Sequence, residues 1–351
     1  MAKVLFLLKK NLKYGDQFTQ ISKSGLLNSV RFLSESLKQN LGIETITEIC
    51  VDGNEVNKFI HIHRPQYCMI DAIWVTPTKM AELSKLWPDV EFIIRVHSKI
   101  PFLSLEGVAV SWLKEYAAIG NNVSIGFNNK DTANDFEAIG IRCIYLPNIY
   151  EIKIEHMNWL KEFTGKWSFY KHEKQVLKVG CFGAIRPLKN QLLQAVAAMK
   201  YCEANGHTLQ FYINDGRVEH GDNILKNIRA LFENTRHKLM EVGWLSHDDF
   251  KKLIGDMDVC MQMSFSESFN IVTADTVDIG VPIVASRDID WLPNECIADD
   301  TDAEDIATKI GHVLRHKQRI IYEARKHLNM YNRRSIMYYY FLTNIPNQWQ
   351  R

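Results

Sequence analysis

Short apolar runs alternate with amphipathic segments along most of the chain. In the first half, the run "VLFLL" (4–8) precedes a segment with apolar residues at helical spacing, "GLLNSVRFLSESLKQN" (25–40). The further runs "ETITEICV", "CMIDAIWV", "EFIIRVH" and "NVSIGF" are separated by helix-like pieces. Strands that alternate with helices form a parallel sheet covered by helices on both faces. The pattern therefore predicts an α/β domain of the doubly wound, Rossmann-like type.

A second series of the same kind begins near residue 176. Strand-like runs at 176–185, 208–215 and 258–265 alternate with helix-like segments at 191–206 and 270–280, and the chain is predicted to be helical after about residue 303. Ligands of doubly wound sheets lie beyond the carboxyl ends of the strands. The two β–α series therefore predict two Rossmann-like domains. We expect these domains to face a central cleft, and a ligand to bind there, beyond the strand ends.

The break between the two series lies at about 150–175, where the sequence is polar, aromatic and less regular. The predicted organisation is an N-terminal domain over 1–160, a linker over 161–175, a C-terminal domain over 176–330 and a helix over 331–351. This last helix is expected to pack back across the domain junction.

Composition narrows the class of protein only slightly. The 351 residues carry a formal net charge of +1, which argues against a global basic field but leaves room for a local basic groove. The 7 cysteines are scattered without Cys-x-x-Cys or zinc spacing, which favours reduced thiols and a cytoplasmic location. No apolar stretch approaches the length of a membrane span.

One loop predicted to follow a strand is basic. In "GCFGAIRPLKNQLL" (180–193) a strand is expected to end at Gly183 and a helix to begin near Asn190, with Arg186 and Lys189 between them. The first amide groups of a helix lack partners and favour an anion, so two nearby cations predict a pyrophosphate site. The alternative is a solvated basic turn. The glycine-rich Gly-Lys-Ser/Thr and GxGxxG patterns are absent here.

A second loop, "SFSESFNIVTAD" (264–275), carries two acids, Glu267 and Asp275. A helix is predicted to begin near Ser268, so Asp275 returns to roughly the same helix face about two turns later. Glu267 is then placed to accept hydrogen bonds from sugar hydroxyls, and Asp275 to hold a ribose. The alternative is a capping acid and an ordinary helix carboxylate. Residues at the helix start are predicted to bind a phosphate through backbone N–H groups: Ser268, Phe269, Asn270 and Ile271.

Two positions in the first half suggest a second ligand-binding edge. Gly25 opens the helix after the first strand and permits close approach of backbone to a ligand, although Ser24 also suits a plain helix cap there. His97 ends the strand "EFIIRVH", where it can orient a sugar or accept a proton. A lone histidine is more often structural, so this role needs independent support.

These motifs together resemble the family-4-like retaining glycosyltransferases of GT-B fold. That family has a Gly-Arg-x-x-x-x-Lys loop, two glutamates separated by seven residues, and Gly-x-Pro-x-Val. This chain has Gly183, Lys189, Glu267, Asp275 and "GVPIV" (280–284) at those places, and the resemblance covers most of 176–315. In the first half it is looser, through Gly25, His97 and "LPNIY" (146–150).

Two departures from the family pattern matter for the expected site. The family arginine is Ala184 here, so Arg186 is the candidate to supply its charge. The second glutamate is Asp275, one methylene shorter. The resemblance implies a UDP-linked sugar donor, retention of configuration and no required metal or other cofactor. It makes Lys189, Arg186, Glu267 and His97 the candidate catalytic residues, and places the nucleotide base near Trp244.

The sequences of these segments most closely resemble those of glycosyltransferases from tailed bacteriophages. Some of these transfer glucose or arabinose to 5-hydroxymethylcytosine, so the resemblance implies double-stranded DNA as partner, in the host cytoplasm. A cluster of Lys9, Lys10, Lys13, Lys23 and Arg31, with Tyr14 and Phe18 interleaved, is the candidate DNA rim, although a solvated charged face is equally compatible with it.

Three other functions stay open at this point. One is a glycosyltransferase acting on a small molecule or a cell-envelope glycan, which shares every donor residue. Another is a nucleotide-sugar 2-epimerase, which needs acid and base groups at the sugar ring. The third is a non-catalytic nucleotide-binding protein, which Ala184 and Asp275 keep open. Two Asp-x-Asp strings, at 256–258 and 288–290, are interpreted as structural or loop positions rather than as metal ligands.

Overall fold

The chain divides into two units, each built on its own parallel sheet. Unit 1 comprises residues 1–151 and 331–351, and unit 2 comprises residues 152–330. The computed structural model describes residues 2–10, 25–120, 122–150 and 175–344. The predicted linker at 161–175 therefore lies outside the described residues, apart from its last position.

In unit 1 the sheet has the strand order β2-β1-β3-β4-β5-β6, and every described neighbouring pair is parallel. The strands are β1 (Lys3–Lys9), β2 (Glu44–Cys50), β3 (Tyr67–Asp71), β4 (Glu91–Val96), β5 (Val123–Phe127) and β6 (Cys143–Tyr145). The apolar run at 4–8 is the centre of β1. Its side chains alternate between the two faces, so Leu5 and Leu7 join one apolar core while Val4, Phe6 and Leu8 join the other.

Helices cover both faces of this sheet. They are α1 (Gly25–Leu41), α2 (Glu55–His63), α3 (Pro77–Leu86), α4 (Ile100–Leu103), α5 (Ala109–Ile119) and α6 (Lys130–Ala138). Local sequence fixes some of their starts. Thr76 accepts a hydrogen bond from the Lys79 backbone with Pro77 in the first turn, and Asn129 caps α6 in the same way through Thr132 N–H.

In unit 2 the sheet has the order β11-β10-β7-β8-β9, again with parallel pairs. The strands are β7 (Val176–Cys181), β8 (Thr208–Ile213), β9 (Lys238–Glu241), β10 (Val259–Gln262) and β11 (Ile283–Ala285). The helices are α7 (Gln191–Asn205), α8 (Asp222–Phe232), α9 (His247–Gly255), α10 (Ile271–Ile279), α11 (Ala303–Arg315) and α12 (Lys317–Asn344), with 3₁₀ turns at Pro187–Lys189 and Asn294–Cys296. The β–α alternation predicted from the sequence is confirmed in both units.

The last helix, α12, is divided between the units: its residues up to Met330 belong to unit 2, and those from Tyr331 belong to unit 1. In unit 2, Arg325 donates to the carbonyl oxygens of Val277 and Asp278, at 3.1 and 2.8 Å. In unit 1, Tyr339 and Leu342 are part of the apolar core around β1. The Tyr339 hydroxyl donates to the Pro147 carbonyl at 2.8 Å. Unit 1 is therefore completed by a segment from the far end of the chain.

Two predicted boundaries are wrong by a few residues. The strand expected to end at Gly183 ends at Cys181, and the helix expected near Ser268 begins at Ile271. The second difference has a local cause. Asn270 adopts φ 63° and its side chain accepts a hydrogen bond from Thr273 N–H, so the chain is capped there and not earlier. In the described part of the chain, no helix is long and apolar enough to cross a membrane.

Candidate active site

Two loops of unit 2 meet because the strands before them are neighbours. β10 pairs with β7 in parallel, so the segments that follow both strands leave the same edge of the sheet. The Gln262 side chain donates to the Phe182 carbonyl at 2.8 Å, and Phe265 N–H donates to the Leu188 carbonyl at 2.9 Å. The basic loop and the acidic loop predicted from the sequence thus form one surface.

Lys189 and Glu267 lie at the centre of this surface. The Lys189 ammonium forms an ion pair with Glu267 Oε1, although the two residues are 78 positions apart in the chain. Their side chains keep only 12% and 11% exposure, so the pair is sheltered but reachable. Because the Lys189 ammonium group pairs with one carboxylate at a sheltered but accessible position, it can exchange Glu267 for a phosphate oxygen. The structure therefore brings together two of the predicted catalytic residues.

Arg186, in the loop after β7, and Trp244, in the segment after β9, belong to a second cluster. Arg186 Nη1 is 3.4 Å from Glu219 Oε2, and Arg217 also donates to Glu219, with Nε at 2.5 Å. The Arg217 guanidinium lies 5.4 Å from the centroid of the Trp244 ring, within cation–π range. Arg186 and Trp244 are thus linked through two residues that the sequence interpretation did not single out, Arg217 and Glu219.

Gly183 shapes the turn between β7 and the basic loop. Its φ is 115°, a conformation that side chains rarely adopt, and an added Cβ would lie 3.9 Å from Lys189 Cε. Its N–H donates to Asn214 Oδ1 at 3.0 Å, and Asn214 Nδ2 donates to the Gly243 carbonyl at 3.2 Å. Asn214 therefore ties the turn to the segment that carries Trp244.

We expect Gly183→Ala to lower the free energy of unfolding by about 1–2 kcal/mol, because the left-handed region disfavours a Cβ. Gly25 is the matched control. It opens α1, has no positive φ and would place a new Cβ in open space. Gly25→Ala should leave stability unchanged or raise it by up to about 1 kcal/mol. Urea unfolding of both variants measures the difference, and equal midpoints would contradict the proposed strain.

The start of α10 is fixed by side chains. Asn270 Nδ2 donates to Gln262 Oε1 at 2.8 Å while its oxygen caps the helix. The Phe269 side chain is 2% exposed and its carbonyl accepts a hydrogen bond from Trp291 Nε1 at 2.8 Å. Phe269 is therefore an anchor of the loop, and any contact it makes with a ligand runs through its backbone. Ser268 lies in the loop before the cap, and Ile271 is the first helical residue.

The second acid, Asp275, is engaged by a histidine. Asp275 Oδ1 lies 2.8 Å from His247 Nε2, with side-chain exposures of 2% and 11%. His247 is the first residue of α9, directly after the Ser246 cap. The sequence predicts a direct contact between Asp275 and a ribose and does not single out His247. Asp275 therefore orients His247, so a nucleoside site built on Asp275 also includes His247.

His97 of unit 1 lies against a buried ion pair. Asp71 ends β3 and Arg95 lies opposite it in β4, and Arg95 Nη1 donates to Asp71 Oδ1 at 2.6 Å. His97 Nε2 lies 2.9 Å from the same oxygen. Arg95 also donates to Asn148 Oδ1 at 3.2 Å. Asp71 and Arg95 are almost completely buried, whereas His97 retains 17% exposure.

The backbone next to this cluster is strained. Ala72 follows Asp71 with φ 73°, and its N–H donates to the Arg95 carbonyl at 2.9 Å. The Asp71 carbonyl accepts a hydrogen bond from Trp74 Nε1 at 3.0 Å. A non-glycine residue in the left-handed region costs about 1–3 kcal/mol, and such residues concentrate at functional sites. His97 therefore lies beside a buried ion pair and a strained residue, and its role in catalysis stays a prediction.

The protonation of His97 gives a pH prediction. Burial lowers the pKa of His97 from its ordinary value of 6.5, while the hydrogen bond to Asp71 opposes the shift and Arg95 adds to it. Below pH 6.5 the unfolded chain therefore binds a proton that the folded chain resists, and stability falls as pH drops. We expect His97→Gln to lose less stability than wild type between pH 6.5 and 5, whereas the exposed control His61→Gln should follow wild type. Thermal unfolding at several pH values measures this, and parallel curves for all three proteins would contradict it.

The other predicted residues that the structure describes lie in unit 1. Gly25 is the exposed first residue of α1. Lys9 and Arg31 are exposed, and the Arg31 guanidinium lies 5.2 Å from the Phe32 ring. The other members of the candidate DNA rim, apart from Lys10, lie outside the described residues: Lys13, Tyr14, Phe18 and Lys23.

One aspartate of each Asp-x-Asp string accepts a hydrogen bond from a backbone N–H group. Asp258 Oδ2 accepts a hydrogen bond from Lys178 N–H at 2.9 Å, which ties the residue before β10 to β7. Asp288 Oδ2 accepts one from Glu267 N–H at 3.0 Å, so it positions the acidic loop. Across the ranges that the structure describes, no three His, Cys, Asp or Glu residues are grouped to hold a metal ion.

Comparison with solved structures identifies the fold of this chain. No protein-family model and no curated protein matches the sequence. Among solved structures, α,α-trehalose 6-phosphate synthase from Burkholderia multivorans matches with TM-score 0.66 and 10% identity, over 99% of this chain and 96% of that one. Sucrose-phosphate synthase from Thermosynechococcus elongatus matches with TM-score 0.61 and 12% identity, over 94% of each chain. HepE from Anabaena in complex with UDP matches with TM-score 0.60 and 16% identity, over 99% of this chain and 100% of that one.

This chain has the GT-B fold. The fold prediction, two Rossmann-like units with parallel sheets, is confirmed. Within a GT-B chain, the loops after β7 and β10 are the natural place for a ligand, because both leave the carboxyl edge of the unit 2 sheet. The Lys189–Glu267 pair lies in those loops.

Proposed function

We propose that this chain is a glycosyltransferase that moves a sugar from a UDP-sugar to a hydroxyl acceptor, with retention of configuration and without a metal. The Lys189–Glu267 ion pair is the observation that carries the proposal. This pair supports the proposal because a cation suited to a diphosphate and an acid suited to a sugar hydroxyl share one sheltered surface of a chain with the GT-B fold. Solved HepE structures in complex with UDP, and with UDP and glucose, support this class of donor.

The roles follow from the chemistry of each group. Lys189 and Arg186 neutralise the diphosphate, where negative charge grows as the leaving group departs. Glu267 accepts a hydrogen bond from a sugar hydroxyl once Lys189 turns to the phosphates. The backbone N–H groups of residues 268–271 lie at a helix start and suit a phosphate oxygen. Asp275, with His247, holds the ribose, and the segment of Trp244 contacts the base.

The reaction is a substitution on one face of the sugar. The bond between the anomeric carbon and the β-phosphate oxygen breaks, and a bond to the acceptor oxygen forms on the same face. The departing phosphate oxygen takes the acceptor proton, so UDP leaves and no enzyme nucleophile is required. His97, held neutral by burial and oriented by Asp71, positions a sugar hydroxyl.

The acceptor we propose is 5-hydroxymethylcytosine in DNA, with arabinose or glucose as the sugar. Its exocyclic hydroxymethyl group is a primary alcohol of the required type. A base in duplex DNA must leave the stack before its substituent reaches the donor sugar. The resemblance to enzymes of tailed bacteriophages supports this acceptor, and exposed Lys9 and Arg31 supply positive charge on unit 1.

A second acceptor class is favoured by a different observation. The segment after His97 exposes four large apolar side chains: Ile100, Leu105, Val108 and Val110. Such a surface suits an acceptor with an apolar part, such as a lipid-linked cell-envelope glycan. The donor chemistry is the same for both acceptors, so they differ only in what binds unit 1.

Measuring UDP release with a panel of UDP-sugars tests donor and acceptor together. Each donor is incubated with duplex DNA containing 5-hydroxymethylcytosine, with the same duplex containing cytosine, and with no acceptor. Mass spectrometry of the digested nucleosides identifies the product. A sugar mass found only on the hydroxymethylated base is the expected result. UDP release that neither duplex changes would eliminate the DNA acceptor, and no UDP release from any donor would contradict the proposed activity.

A further inference from the structure

The C-terminal half of α12 has one face buried in unit 1. Ser335, Tyr339 and Leu342 are buried, and Tyr67 donates its hydroxyl proton to the Leu342 carbonyl at 3.1 Å. The Tyr338 ring packs edge-on against Tyr145, with centroids 4.8 Å apart. The helix is therefore held in place by its inner face, which fixes the direction of its outer face.

The outer face is basic and aromatic. Five exposed side chains share it, at helical spacing i, i+1, i+4, i+7 and i+8: Arg333, Arg334, Met337, Tyr340 and Phe341. Met337, Tyr340 and Phe341 are 45%, 42% and 40% exposed. We call this set of five residues the outer face of α12. The aromatic tail of the chain thus divides into Tyr338 and Tyr339, which pack inward, and two rings that face solvent.

The charge of this region differs from that of the protein as a whole. Residues 324–351 contain no Asp or Glu and five Lys or Arg, in a chain whose formal net charge is +1. No carboxylate pairs with Arg333 or Arg334 in the part of the chain that the structure describes. Two adjacent guanidinium groups without a counter-charge make a local site for an anion.

We propose that the outer face of α12 binds the phosphate backbone of the duplex DNA acceptor; this inference rests on the proposed function. Arginine suits phosphate oxygens, and tyrosine side chains beside it contact the phosphates and sugars of the backbone. From Arg333 to Phe341 the helix extends about 12 Å, since each residue adds about 1.5 Å. Measured along the duplex axis, that length corresponds to three to four base-pair steps at about 3.4 Å each.

A membrane surface fits this face less well. An interfacial helix buries a wide apolar face about 5–10 Å deep in lipid. Here the apolar side chains are already more than half covered by the protein, and two arginines lie among them. The two positive charges are therefore the main feature of the outer face of α12, and they favour a polyanion over a membrane as its ligand.

Neutralising the two arginines tests the proposal. The binding of a fluorescent 20-base-pair duplex is measured by anisotropy from about 50 to 300 mM KCl, without donor, for wild type and Arg333→Gln/Arg334→Gln. We expect the variant to bind about 10-fold more weakly at 100 mM KCl, and the log–log salt slope to fall by about 1–2, because each lost phosphate contact contributes about 0.9. The matched control Lys226→Gln/Lys238→Gln removes the same charge from exposed positions of unit 2 and should stay within about 2-fold of wild type.

Several outcomes would overturn the inference. Equal DNA binding by wild type and the arginine variant would remove the outer face from the interface. An equal loss in the lysine control would reduce the effect to net charge. Wild-type binding to phosphatidylglycerol vesicles but not to duplex DNA would assign the face to lipid. UDP release without acceptor is measured in parallel, because donor hydrolysis by a protein that ignores DNA separates failure of this inference from failure of the proposed glycosyl transfer.

Discussion

Lys189→Ala is expected to lower kcat/KM for sugar transfer by about 10²–10³-fold or more while the protein stays folded. The reason is electrostatic. Removing a preorganised positive charge from the place where negative charge develops costs about 3–4 kcal/mol in the transition state. Glu267→Ala should have a similar effect, since it removes the acid on the same surface. Steady-state UDP release with saturating acceptor measures both variants.

A second ion pair in unit 2 supplies the control. Lys251 pairs with Asp278 at 2.6 Å, with exposures of 13% and 0%, which resembles the sheltering of the Lys189–Glu267 pair. Lys251→Ala leaves a buried carboxylate without this partner, so it should lower the unfolding midpoint but keep kcat near wild type. Near-wild-type turnover in Lys189→Ala, or an equal loss of turnover in Lys251→Ala, would remove Lys189 from its catalytic role.

Asp71→Asn is expected to cost about 3–5 kcal/mol of stability, because it leaves the buried Arg95 guanidinium without a counter-charge. It also replaces the carboxylate that orients His97, and misplacement of a positioning group costs up to about 10²-fold in rate. Chemical denaturation gives the stability, and sugar transfer measured well below the unfolding transition gives the activity.

The double variant Asp71→Asn/Arg95→Met separates the two effects. Removing both charges should recover more than half of the lost stability, because no unpaired charge is then buried. Transfer activity should stay low, since His97 still lacks its carboxylate. Full recovery of activity in the double variant would show that Asp71 serves stability alone. A double variant as unstable as Asp71→Asn would contradict the assignment of Arg95 as the stranded charge.

Much of the fold could be predicted because the signals are local. Apolar runs bounded by polar segments identified the strands, and parallel sheets follow from the β–α alternation. The start of α7 at Gln191 agrees with the expected start near Asn190. The start of α10 did not, because Glu267 and Ser268 have the composition of a helix start while Asn270 supplies the cap. Composition locates a helix end only to within a few residues.

Some residues of the candidate site could also be predicted from the sequence, and others could not. Lys189 and Glu267 were predicted from loops that follow strands, but their contact depends on which strands are neighbours. Asp71 and Arg95 were missed because each ends or interrupts an apolar run, "CMID" and "FIIRV", that otherwise indicates only a buried strand. A charge of opposite sign in each of two successive buried strands was the available signal. His247 was missed because it follows a serine cap, and its link to Asp275 spans 28 residues.

The discontinuity of unit 1 has a consequence for how the protein is made. Its sheet strands β1–β6 leave the ribosome early, yet the core around β1 includes Tyr339 and Leu342 from α12. Until those residues emerge, Tyr67 and the Pro147 carbonyl lack their hydrogen-bond partners on the helix. The first unit to be synthesised is therefore the last to be completed. A nascent chain arrested before residue 331 should expose the apolar surface that α12 covers, and should be the species that chaperones and proteases recognise.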